Sequence, residues 1–125
     1  MKRRMLVMLG PVLLATAGMG ISFAAERPRE LSKKELNALL ARMSTPQDHL
    51  RLAAHFEALS KRYEMESAEH TGMAKMYRTK PTVSETKHPM APDTAAHCDY
   101  LAESMGKAAK EAHMMAIAHE AMAKK

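Results

Sequence analysis

Seven histidines, one cysteine and thirteen methionines carry most of the ligand chemistry in this 125-residue chain. Imidazole, thiolate and thioether are intermediate to soft donors, a set that suits Cu(I) or Zn(II) better than Mg(II) or Ca(II). Spacing sorts them into two groups. His49 heads a stretch that ends His70-Thr71-Gly72-Met73-Ala74-Lys75, and His97-Cys98 heads another that ends His119-Glu120-Ala121-Met122-Ala123-Lys124. The endings lie 49 residues apart, or seven heptads, so the echo preserves helical face as well as residue type. In both, His-x-x-Met puts two donors on one face of a helix.

Laid antiparallel, two such helices bring His49 towards His119 and Met122, and bring His97 and Cys98 towards His70 and Met73. Two candidate metal clusters result, about 31 Å apart at 1.5 Å per residue. Each residue also has a plainer role, because heptad histidines often set specificity and methionines at this spacing fill cores. His55 and His113 fall outside the principal rows and are expected at the surface.

The elements that must position these donors are helices. Thr45-Pro46-Gln47-Asp48 supplies a cap hydroxyl, a proline at the first helical position and an acid near the positive helix end, opening a helix over 46–79. His49, Phe56, Tyr63, His70 and Tyr77 repeat every seven residues along it, beside a small row of Ala53, Ser60, Ser67 and Ala74 that lets a second backbone approach. A helix over 94–124 follows, capped by Asp93 or Thr94, with rows Cys98, Met105, Ala112, His119 and Leu101, Ala108, Met115, Met122, and a small row Ala102, Ala109, Ala116, Ala123. Its rows match the first helix position by position at the 49-residue offset, and Cys98 stands where His49 stands.

Between them, the connection 80–93 carries Pro81, Pro89 and Pro92, which cannot continue a helix. Upstream, Ser32-Lys33-Lys34-Glu35 fits a capping box, and Leu36, Leu39, Leu40 and Met43 form one apolar stripe on a short helix over 32–44. The expected fold is all-α: an antiparallel hairpin of two long helices with the short N-terminal helix packed on it, open to dimerisation into a bundle.

Met1-Lys2-Arg3-Arg4 and the apolar run to Ile21, ending at Ser22-Phe23-Ala24, read as a signal peptide over 1–24. Residues 25–30 then form a flexible lead-in and 31–125 a single helical domain in the periplasm or outside the cell. Losing the leader removes three of the 19 basic residues, so 16 remain against 14 acidic and the charge falls from +5 to +2. So little basicity gives no reason to expect a nucleic-acid partner, and no membrane association is expected after cleavage. Cys98 is the single cysteine, which excludes an internal disulfide and leaves intermolecular pairing, metal ligation or a buried thiol.

Several enzyme chemistries fail on spacing. The Glu-x-x-His pair Glu85 and His88 sits in the proline-rich connection rather than on two facing helices, as a di-iron bundle requires. Neither Cys-x-x-Cys-His nor His-Glu-x-x-His is present, nor is a glycine-rich phosphate loop. Adjacent His97 and Cys98 point about 100° apart on a helix, which does not make a nucleophile and its base. No enzymatic activity is expected.

The leader aside, residues 45–125 resemble, in general character, small periplasmic histidine-bearing helical metal-binding proteins of the small metal-binding protein type. The likeness lies in proline-linked antiparallel helices and in the repeated Ala and His positions around His70 and His119. That resemblance implies divalent or cuprous metal binding and no individual site. The first expectation is therefore a periplasmic metal-binding or metal-buffering protein that takes copper or zinc. The alternative is a protein-interaction or chaperone-like helical module whose methionine-rich face meets another protein or a second copy.

Overall fold

The computed structural model describes residues 29–125, so the signal peptide expected over 1–24 and most of the lead-in expected over 25–30 lie outside the described residues. Four helices follow in order: α1 (Lys33–Arg42), α2 (Pro46–Thr79), α3 (Ser84–Lys87) and α4 (Ala95–Ala123). Among the described residues there is no strand. The long helices α2 and α4 pack as an all-α hairpin.

Each helix begins where its sequence supplies a partner for free backbone N–H groups. Ser32 accepts the Glu35 N–H at 3.2 Å while the Glu35 carboxylate accepts the Ser32 N–H at 2.8 Å, and Arg29 holds the same carboxylate. At α2 the Thr45 hydroxyl accepts the Asp48 N–H at 3.2 Å, and Asp48 returns the bond to Thr45 and Ser44 at 3.1 Å each. At 34 residues α2 is about 51 Å long. It ends where Lys80 bonds back to Met76 and Pro81 forbids continuation.

The connection is built rather than slack. Thr82 donates to the Asp93 carbonyl at 2.9 Å, and the Glu85 carboxylate accepts the Ala95 N–H at 3.1 Å. Fully buried Thr94 donates toward the carbonyls of Pro89 and Ala91 and accepts the His97 N–H, so it closes the loop and caps α4 at once. The single turn α3 lies inside the proline-rich stretch because its prolines fall on either side of Ser84–Lys87.

The seam between α2 and α4 is the small row. Ser60 donates to the Ala109 carbonyl at 2.8 Å, and Ser67 donates to the Ala102 carbonyl at 2.7 Å. A side chain as short as serine reaches another helix's backbone only when the helices lie close, which the alanines opposite permit. Rising numbers on α2 pair with falling numbers on α4, so the helices are antiparallel. Ala53, Ser60, Ala74, Ala109 and Ala116 are all buried along this line, and Ala112 of the neighbouring row is buried beside it.

The segment leading into α1 is tied to α2 by two side-chain bonds, and α1 contributes one buried leucine. Leu39 is 1% exposed, Glu30 pairs with Arg62 at 2.6 Å, and the Leu31 N–H donates to His55 Nδ1 at 2.9 Å. His55 is therefore not at the surface, as its absence from the principal rows suggested; it is 5% exposed. It stands at helical spacing with Leu52 and Leu59, on the side of α2 that the Leu31 backbone meets. His113 is exposed and meets Glu57 across the hairpin at 2.9 Å.

Candidate functional site

Ser60 and Ala109 are repeat equivalents, 49 residues apart, and they touch each other. In an antiparallel pair of matching helices, that contact can occur only at a pseudo-twofold axis. Whatever meets at one end of the hairpin thus has a counterpart at the other end, built from the equivalent positions.

At the open end, His49 from the first turn of α2 meets His119 from the last turns of α4. Their Nδ1 atoms are 3.1 Å apart, the ring centres are 5.4 Å apart and the planes differ by 27°. A ring nitrogen lies about 1.1–1.2 Å from its ring centre, so centre, nitrogen, nitrogen and centre fall nearly on one line. The rings meet edge to edge, not face to face. One Nδ1 carries a proton and donates it while the other accepts, because two N–H groups or two bare lone pairs would repel.

The surroundings hold this pair in place. The Phe56 ring lies parallel to His119, with centres 5.7 Å apart and planes within 9°. Phe56 in turn meets His55 edge-on at 5.1 Å. Burial, followed by the neighbouring His49, pushes the His119 pKa below its ordinary value, so neutral imidazole is favoured there. Neutral imidazole is the form that binds metals. Met122, three residues beyond His119 and one turn away on α4, is 46% exposed.

The twofold relates this pair to the other end of the hairpin, where His70 stands for His119 and Cys98 for His49. Cys98 is 2% exposed, on the inner face where its heptad row places it. Burial raises its thiol pKa, and the charges of Asp99 and Glu85 add to the effect. His70 is half-buried, and its Nδ1 is sealed from solvent with no hydrogen-bond partner among the described residues. Met73 and His97 are half-buried nearby in sequence, but no bond joins them to either residue. Arg78 and Asp99 form an ion pair at the edge of this end.

No family model matches the chain, and neither a curated protein nor a solved structure is significantly similar to it. Function has to be read from the geometry alone. Of the seven candidate ligands, His49 and His119 are in direct contact, Met122 shares their end of α4, and His70, Met73, His97 and Cys98 lie towards the other end of the hairpin. Among the described residues, no three His, Cys, Asp or Glu side chains converge as a ready-made metal cage.

Phe56 and His55 are the members of the site that the ligand pattern missed. Phe56 was visible only as a row residue, although a ring seven positions after His49 falls beside whatever His49 meets. The signal for His55 was its place between Leu52 and Leu59 at helical spacing.

Proposed function

We propose that this protein is a non-enzymatic, exported helical hairpin that binds or buffers a soft metal ion, copper or zinc, at the His49–His119 end. The observation that carries the reading is the pair of Nδ1 atoms 3.1 Å apart, one from each helix, aimed at one another. Helices of this length keep the two imidazoles in register without a loop to order, so little entropy is lost on binding. The equivalent positions at the other end, His70 and Cys98 with Met73 and His97, make a second and softer candidate site. Its buried thiol must lose a proton before it can ligate, and burial opposes that step. The reading agrees with the resemblance to small periplasmic metal-binding helical proteins.

The test is titration of the purified protein with Cu(I) and Zn(II) against a competing chelator. One metal should be retained at micromolar free concentration, and His119→Ala should weaken retention at least tenfold. A His70→Ala, His119→Ala double variant that binds as well as the parent would sink the proposal.

A second reading rests on a different surface. Met114, Met115, Ile117 and Met122 are exposed on α4, while Met65 and Met76 are exposed on α2. A two-helix hairpin buries only one face of each helix, and adaptable methionines on the others suit packing against another protein or a second copy. Light scattering with chelator present separates the two readings. A monomer that protects no client from aggregation argues for the metal reading alone.

A further inference from the structure

We infer that the His49–His119 end takes a monovalent, two-coordinate ion, cuprous copper, in preference to four-coordinate Zn(II). The inference rests on that end being a metal site and concerns which ion its geometry admits.

The two lone-pair axes already lie nearly on one line. An ion on that line with bonds of about 2 Å needs the nitrogens about 4 Å apart, so the pair must open by about 0.9 Å along the direction it points. Neither ring has to turn. The donating ring loses its Nδ1 proton and regains one at Nε2 from solvent, so binding to a neutral pair releases no net proton.

A tetrahedral ion makes a different demand. Its nitrogens sit about 3.3 Å apart, close to the present separation, but the ion lies off the line between them. Each ring would have to swing by roughly 35–40° to aim at it. Phe56 lies parallel to His119, within 9°, so any part of that swing that leaves the His119 ring plane works against this stack.

The donor count points the same way. Zn(II) asks for three or four protein ligands, and among the described residues no three His, Cys, Asp or Glu converge. A two-coordinate ion needs only the pair that is there.

The experiment uses the full chain with Cys98→Ala, so that the thiol cannot compete, and circular dichroism to confirm that the helices persist. Cu(I), the air-stable monovalent probe Ag(I), and Zn(II) are each titrated against chelators, and the Cu(I) form is examined by X-ray absorption. Cu(I) and Ag(I) should bind at one equivalent, at least 100-fold more tightly than Zn(II), with two nitrogen neighbours in the copper spectrum. His49→Ala or His119→Ala should abolish that preference. Equal or tighter Zn(II) binding, or a four-coordinate copper spectrum, overturns the ion preference while leaving the site. Retention of none of the three ions overturns the site itself.

Discussion

Ser60 donates its hydroxyl to the Ala109 carbonyl at 2.8 Å, and the two residues are one repeat length, 49 positions, apart. Their contact fixes the register of the hairpin at its pseudo-twofold axis. One step along the seam, Ser67 does the same to Ala102. Register at this point decides whether His49 faces His119 at one end and whether Cys98 is inside at the other.

Removing the hydroxyl and wedging the seam should therefore differ sharply. Ser60→Ala loses one hydrogen bond and leaves the carbonyl its helical N–H, a cost of about 1 kcal/mol. Ser60→Leu forces a large side chain between closely packed helices and should cost about 1–3 kcal/mol or more. Urea unfolding followed by circular dichroism checks both; a leucine variant as stable as the alanine variant would contradict close packing.

Two glycines weaken the long helices without a packing need. A Cβ on Gly72 meets nothing within 4 Å, and one on Gly106 lies 3.6 Å from Ser67 Oγ, an ordinary contact. Gly72→Ala and Gly106→Ala should each stabilise by about 0.5–1 kcal/mol. A rise in melting temperature for both, near-additive in the double variant, is the expected result.

His55 ties stability to pH. Its Nδ1 accepts the Leu31 N–H, and protonation would remove that acceptor inside a buried site. Burial lowers the folded-state pKa of His55 below 6.5, opposed by the Glu30 charge, and lowers that of His119 as well. Below that ordinary value the unfolded chain binds more protons. Stability present above pH 6.5 is thus lost as pH falls towards the folded-state values. The urea midpoint should drop between about pH 7.5 and 5. His55→Gln should cost about 1–2 kcal/mol at the upper pH and show a shallower decline.

Cys98 should behave as a core residue. It is 2% exposed with a thiol pKa raised by burial, so native labelling should run about 100-fold slower than labelling in denaturant. Non-reducing gels should show a monomeric band. Rapid native labelling or a dominant disulfide dimer would place Cys98 on the outside and overturn the seam register.

Much of the hairpin was legible because its signals are local or periodic. Ser32, Thr45 and Thr94 each announce a helix start with the hydroxyl that caps it, and the seven-residue rows name the seam. The offset of 49 also gave the meeting of His49 with His119, since matching helices in antiparallel order leave few registers. Periodicity on one seam says nothing of a second contact, which is why His55, buried beneath the N-terminal segment, read as a surface residue. The ordered connection was equally opaque: Glu85 reaching Ala95 and Thr82 reaching Asp93 are side-chain to backbone bonds with no sequence period. The edge-on aim of the two imidazoles depends on rotamers, which spacing does not encode.

The claim that His49 and His119 share an ion is tested most directly by nitrogen NMR of the histidine rings during addition of one equivalent of Cu(I). Both Nδ1 resonances should move together, complete their shift at one equivalent, and leave His113 and His88 unchanged. Movement of neither Nδ1, or of one without the other, would contradict a shared ion between the two helices.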